Sequence, residues 1–339
     1  MLSPYTHDKT ESVRHPGPRS EGALGKAALA ALVGTSPAME RLRTLISRAA
    51  LSSRPALVTG PTGSGKDLVV RAIHALGPSP LAPLLDVNCG AIPDSLMESL
   101  LFGHEKGSFT SAFEARDGLL AQVGRGTFFL DEIAELPLHL QTKLLSVIES
   151  GRFRPIGRSA EQRFFGRLVT ATHADLEARV REGRFREDLY YRLHVLTIAV
   201  PPLEERRSDI SLLISHFCSR QSRPLEFTKP ALAELEAADW PGHVRQLRNL
   251  IDRLAVFADN RLIDLATLKF FLPEPLPPTT ELDHLARELL RLPISNKLEA
   301  MRDAAIAQAM TMANRNQTAA ARLLGIHRKA IARRMIKPT

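Results

Sequence analysis

The stretch Val58-Thr59-Gly60-Pro61-Thr62-Gly63-Ser64-Gly65-Lys66-Asp67 constrains this chain more than any other. An apolar run, Ala56 to Val58, leads into it, and a helical pattern of Leu68, Val69, Ala72 and Ile73 leads out. Between them stand glycine, four residues, glycine and lysine, the spacing of a phosphate-binding loop set between a strand and a helix. Glycines let the backbone wrap an anion with its N–H groups pointing inward. The helix that follows offers the positive end of its dipole to the same phosphates. Lys66 adds a full charge for the outer phosphates. Asp67 stands where a Ser or Thr hydroxyl commonly meets Mg²⁺.

A phosphate loop needs a sheet to carry it. Short apolar runs at Ala56–Thr59, Leu84–Val87, Thr127–Leu130, Leu168–Ala171 and Val195–Val200 alternate with helical stretches. That alternation predicts an α/β fold with a parallel sheet of five strands covered by helices. One covering helix is predicted to begin at Ser36-Pro37, with Ser36 as its cap. Ligands of such sheets bind beyond the carboxyl ends of the strands. The loop, Asp131 and Thr172 all follow strand ends and are expected to converge there. The run Gly126-Thr-Phe-Phe-Leu-Asp131-Glu132 ends a strand in two acids. Asp131 is suited to hold Mg²⁺, and Glu132 to orient or deprotonate an attacking water. Arg186 and Arg192, in Phe185-Arg186-Glu-Asp-Leu-Tyr-Tyr-Arg192, are candidate cations for the transferred charge.

With 339 residues the chain is expected to hold two to three domains. Residues 1–30, rich in Pro, Gly, Ser and charge, are expected to be disordered. Residues 31–204 form the α/β part. Residues 205–272 read as all helical, a lid over the nucleotide, with Arg245 and Arg248 one turn apart on its last long helix. Either is placed to reach a terminal phosphate. Residues 273–297 are a proline-rich linker. Residues 298–339 hold helices at Leu298–Met312, Gln317–Leu324 and His327–Met335, with Gly325 at the turn, the pattern of a helix-turn-helix.

Charge placement supports a nucleic-acid partner for this last part. The formal net charge is +8, and residues 297–339 carry nine Lys and Arg against two acids. A basic tail suits DNA. Its second helix would carry His327, Arg328, Lys329, Arg333 and Arg334, with Gln317 and Thr318 on the helix before it. No apolar run reaches membrane-spanning length, and with no apolar h-region the N-terminal stretch is not expected to act as a secretory signal. The two cysteines, Cys89 and Cys218, exclude a disulfide framework and fit a reducing cytoplasm.

Taken together these segments resemble the bacterial enhancer-binding proteins, the AAA+ activators of sigma-54 RNA polymerase, from about Leu32 to Met335. The most specific piece is the family's surface-loop hexapeptide, Gly-Ala-Phe-Thr-Gly-Ala, standing here as Gly107-Ser108-Phe109-Thr110-Ser111-Ala112. An exposed Phe beside small residues makes a contact tip rather than a core element.

The resemblance implies an AAA+ P-loop fold with a helical lid and a Fis-type helix-turn-helix. It implies ATP and Mg²⁺ at Gly60–Asp67, with Asp131 and Glu132 as the Walker B pair. Asn88 corresponds to an asparagine that switches Glu132 between restrained and active states. Thr172-His173 corresponds to sensor I and Arg245 to the sensor II arginine. Arg186 and Arg192 correspond to arginine fingers given to a neighbouring subunit. Pro61 departs from the family's usual Glu.

The implied partners are sigma-54 holoenzyme, upstream enhancer DNA, and further subunits in a ring, usually a hexamer and in some cases mixed. The expected chain starts almost at the AAA+ core, like the short phage-shock and type III secretion activators, whose control comes from a separate protein. A DNA-binding regulator uncoupled from sigma-54, and a nucleic-acid motor or loader, are the alternatives.

Overall fold

Strands Ala56–Thr59 (β1), Leu84–Asn88 (β2), Thr127–Asp131 (β3), Arg167–Thr172 (β4) and Leu196–Ala199 (β5) form one sheet in the order β2-β3-β4-β1-β5. Every pairing in it is parallel. The computed structural model describes residues 18–109, 113–258, 260–272, 288–290, 296–313, 315–326 and 331, with side chains from residue 22 onward. It divides into two units, split between Leu272 and Pro273.

The strands are short apolar runs because both faces of the sheet are covered. Alternate residues enter two different cores. Leu57, Phe128, Leu130 and Leu168 pack on one side with Met97, Leu101, Leu140, Leu144 and Leu189. Val58, Phe129, Val169 and Ala171 pack on the other with Met39, Leu42, Ile46, Val69 and Ile73. Phe128 is fully buried, so truncating it to Ala would cost about 3–5 kcal/mol.

The first core is covered by helices Asp94–Phe102 (α4), Leu138–Ser150 (α5) and Glu187–Leu193 (α6). The second is covered by Pro18–Ala30 (α1), Pro37–Ala50 (α2) and Lys66–Ala75 (α3). Ser36 caps α2 as expected, its hydroxyl accepting from Met39 N–H at 3.4 Å, with Pro37 in the first helical turn. Asp209, fully buried, accepts from Thr35 N–H (2.7 Å), Ser36 N–H (2.9 Å) and the Ser36 hydroxyl (2.7 Å). One carboxylate thus ties the entry of α2 to the base of the lid.

Helix α1 corrects the expectation of disorder for residues 18–30. Its small residues permit a close approach to α3. A Cβ on Gly25 would lie 2.6 Å from Leu76 Cδ2. Ala28 and Leu29 add to the second core. Residues 1–17 lie outside the described residues.

The lid comprises Ile210–Cys218 (α7), Lys229–Ala237 (α8), His243–Phe257 (α9) and Leu265–Phe271 (α10) around its own core of Leu213, Ile214, Leu235, Trp240, Leu247, Leu250 and Leu254. In the second unit, Lys297–Met312 (α11) and Gln317–Leu323 (α12) pack through Ile306, Ala309, Met310, Ala320 and Ala321, with Ile331 in the same cluster. Asn316 caps α12 by accepting from Thr318 and Ala319 N–H at 3.0 and 3.2 Å, and Gly325 turns with a φ of +63°. Apart from Ile331, the predicted helix His327–Met335 lies outside the described residues, with His327, Arg328, Lys329, Arg333 and Arg334. Among the described residues no helix is long and apolar enough to cross a membrane.

Candidate active site

The loop from Gly60 to Gly65 leaves β1 and closes on the first turn of α3. Gly65 caps that helix with a φ of +105°, a conformation that penalises any side chain. Gly63, at φ +83°, has a second constraint: a Cβ there would meet Gly242 O of the lid at 2.5 Å. Arg245 N–H donates to Gly63 O at 3.2 Å, so α9 begins directly on the loop. Arg248, one turn further on, pairs instead with Asp252 at 3.6 Å. Of the two lid arginines, Arg245 is therefore the one whose backbone joins the loop.

Lys66 sits in the first turn of α3, 8% exposed. Its Nζ donates to Gly60 O at 3.0 Å and Pro61 O at 3.4 Å and lies 3.9 Å from Glu132 Oε1. Burial pulls its pKa down, opposed by the charges of Glu132 and Asp131. The Ser64 hydroxyl is buried and has no hydrogen-bond partner among the described residues. A glycine-lined cradle, a cation held on loop carbonyls and an orphaned hydroxyl together fit a polyphosphate. Asp67 is exposed in the first turn of α3.

Asp131 ends β3, and burial together with the neighbouring Glu132 raises its pKa. Its Oδ1 accepts from Glu132 N–H at 3.0 Å and its Oδ2 from the Asn88 amide at 3.3 Å. Asn88 also accepts from Gly90 N–H at 2.9 Å. In this structure Asn88 holds Asp131. The sheet gives the reason: Asn88 and Asp131 are register partners at the ends of β2 and β3. Glu132 adopts φ +51° and ψ +52°, in the left-handed region. Its Oε2 lies on the far side, accepting from His173 Nδ1 at 2.7 Å and His173 N–H at 3.3 Å, just past the end of β4. That contact requires a proton on His173 Nδ1. Thr172, fully buried, accepts from Ala174 N–H at 3.0 Å and thereby shapes the turn that presents His173.

Arg206 went unread in the sequence. It is 4% exposed, and its guanidinium donates to Ser64 O at 3.0 Å and contacts Met39 Sδ at 3.0 Å. Burial lowers its pKa, with Asp209 opposing. It is a second tie between lid and phosphate loop, and no local pattern around it signals burial.

Arg186 and Arg192 stand apart from this cluster. Arg186 grips Asp188 with both ends of its guanidinium, at 3.0 and 2.7 Å, and Arg192 grips Glu149 at 2.9 and 2.7 Å. Both are exposed. The hydrogen bond to Asp188 holds the Arg186 guanidinium further above its ordinary pKa. Of the hexapeptide, Gly107, Ser108 and Phe109 are described, while Thr110, Ser111 and Ala112 lie outside the described residues. Gly107 turns at φ +79°. The Ser108 hydroxyl donates to Glu105 O at 2.8 Å. Phe109, 38% exposed, meets the His104 ring edge-on with centroids 4.9 Å apart.

Residues 32–199 match the sigma-54 interaction domain family, and residues 204–284 match the AAA+ ATPase lid domain family. The chain is similar to the response regulator protein PilR of Pseudomonas aeruginosa, 40% identical over 316 residues that cover 90% of this chain and 69% of that one. It is 36% identical over 329 residues to the DNA-binding transcriptional regulator NtrC of Azospirillum brasilense, covering 90% and 68%. The crystal structure of NtrX from Brucella abortus in complex with ATP matches 89% of this chain and 68% of its own, with a TM-score of 0.66 and 32% identity. With a phosphate loop, an acid pair at a strand end and a lid seated on the loop, the chain belongs to the AAA+ ATPases that act as ATP-dependent activators of sigma-54 RNA polymerase.

Proposed function

We propose that the chain works as a ring, a hexamer of this chain or one mixed with a related subunit, in which ATP is held by one subunit and its hydrolysis completed by the next. The observation that carries this reading is the separation of charges. Lys66, Asp131, Glu132 and His173 lie together beyond the carboxyl ends of β1, β3 and β4, whereas Arg186 and Arg192 are held on an outer surface by Asp188 and Glu149. Gly60, Pro61, Thr62, Gly63, Ser64, Gly65, Lys66 and Asp67 receive the phosphates, and Lys66 exchanges its loop carbonyls for phosphate oxygens. Asp131, a hard oxygen donor steadied by Asn88, is the residue to hold Mg²⁺, which supplies charge neutralisation of the phosphates. Glu132, released from His173, orients the attacking water. Thr172 keeps the turn bearing His173 in place, and Arg245 carries the lid's response to the terminal phosphate. Arg186 and Arg192 leave their acids to reach the neighbour's ATP.

The output side lies on other surfaces. The loop Gly107–Ala112 presses Phe109 against sigma-54. Residues 298–339 hold upstream DNA through Gln317 and Thr318 and through His327, Arg328, Lys329, Arg333 and Arg334. We place the protein in the cytoplasm. The deciding experiment is open-complex formation on a sigma-54 promoter with purified protein, holoenzyme and ATP. Strand opening that requires ATP and is lost in Arg186→Ala supports the reading. Opening by a strictly monomeric protein, or opening undiminished in Arg186→Ala, overturns it.

A further inference from the structure

The segment after Glu132 and the segment before Arg186 are joined by one buried side chain. Gln141, on α5, is fully buried. Its Nε2 donates to Leu136 O at 2.7 Å and Arg184 O at 3.2 Å, and its Oε1 accepts from Arg186 N–H at 2.8 Å. The amide orientation follows from these partners: two carbonyls face the NH₂ and one N–H faces the oxygen, and the flipped amide would oppose like to like. A second tie runs parallel to it. Arg179 pairs with Glu135 at 2.8 Å, while its carbonyl accepts from Arg184 and Phe185 N–H at 2.9 and 3.1 Å. Phe185, 2% exposed, anchors the same stretch in the core. The 3₁₀ turn Ile133–Glu135 connects this network to Glu132, with Glu135 N–H donating to Glu132 O at 2.9 Å.

These bonds leave the Arg186 backbone little freedom, while its side chain reaches out to Asp188 on the surface. A fully satisfied buried amide between two loops is a rigid spacer, since breaking it strands donors and acceptors out of water. We propose that Gln141 is a positioning residue for Arg186. It fixes the root of the arginine that one subunit offers to the next, referenced to the segment that carries that subunit's own Glu132. The proposal rests on the trans-acting role of Arg186 given above. A misplacement of about 1 Å at such a group is enough to cost about a hundredfold in rate.

The test is subunit mixing. Gln141→Met keeps the volume and removes all three bonds. Its ring is expected to lose about a hundredfold in kcat, with KM for ATP and fluorescent-nucleotide affinity unchanged. Mixing it with Glu132→Gln subunits, which have an inactive site of their own but an intact Arg186, is expected to restore turnover that neither ring shows alone. Absence of recovery would mean that Gln141 acts on its own subunit's site or only on folding, and would overturn the proposal. A matching mixture of Arg186→Ala with Glu132→Gln separates the two claims: if that pair also fails to recover, the trans role of Arg186 falls first. Gln141→Asn keeps the amide but draws it back by one methylene, away from its three partners, so the same mixing measurement stands even where the Met variant does not fold. It is expected to show a loss in kcat that Glu132→Gln subunits restore, and a loss they do not restore would overturn the proposal.

Discussion

The strand ends and the outer face of α6 hold similar charges in opposite ways. Lys66 is buried, and burial depresses its pKa; Arg186 is exposed, and Asp188 holds its pKa up. Lys66, Asp131, Glu132, Asn88 and His173 form one connected network within a single chain. Arg186 and Arg192 each end on a carboxylate of their own surface. An exposed pair of that kind adds little stability, so it is readily exchanged for a stronger anion. The contrast separates groups finished by the fold of one chain from groups that need a second molecule.

The sharpest way to break this comparison is Arg186→Ala. It is expected to lower kcat about a thousandfold while nucleotide affinity, read by fluorescent ATP titration, stays unchanged. A loss of affinity instead would put Arg186 in its own subunit's site. Lys66→Ala is the converse and should weaken ATP binding about a hundredfold by calorimetry, through loss of a buried charged donor; retained affinity would detach the loop from the phosphates. Phe109→Ala tests a third outward-facing group. ATP hydrolysis should persist, while sigma-54 engagement, measured as ATP-dependent promoter opening, falls about thirtyfold. Unaltered opening would remove Phe109 from the contact.

The smallest effect concerns His243, which seats the lid. It is 7% exposed at φ +48°, and its Nδ1 accepts from Leu203 N–H at 3.3 Å. Burial lowers its pKa, with Glu204 opposing and Arg206 adding to the shift. The unfolded chain therefore binds the proton first as pH falls below about 6.5, and stability drops through that window while remaining intact above it. His74 and His216 are shifted the same way by burial. His243→Asn tolerates the positive φ and should flatten this acid-side decline in thermal melts; an unchanged slope between pH 7 and 5 would show that His243 does not contribute.

Much of the fold was legible because its signals are local. The loop Gly60–Lys66, the run ending in Asp131-Glu132 and the Ser36-Pro37 helix start each encode their geometry within a few residues. Helix α1 was missed because its contact depends on a missing side chain, Gly25, whose value appears only where Leu76 meets it. Gln141 left one faint trace: it lies three residues before Leu144 on the apolar face of α5, where an uncharged polar residue must find partners.

The sequence by itself determined which residue types meet the phosphates, in what order along the chain, and which family the protein belongs to. Which partner each of them holds was decided by tertiary structure. Asn88 fell to Asp131 because β2 lies beside β3 in register, and Glu132 to His173 because a left-handed backbone turns it toward β4. Arg206 reached Ser64 only through the packing of the lid on the loop. Such pairings join residues far apart in sequence, and strand order and close packing, which no short motif encodes, bring them together.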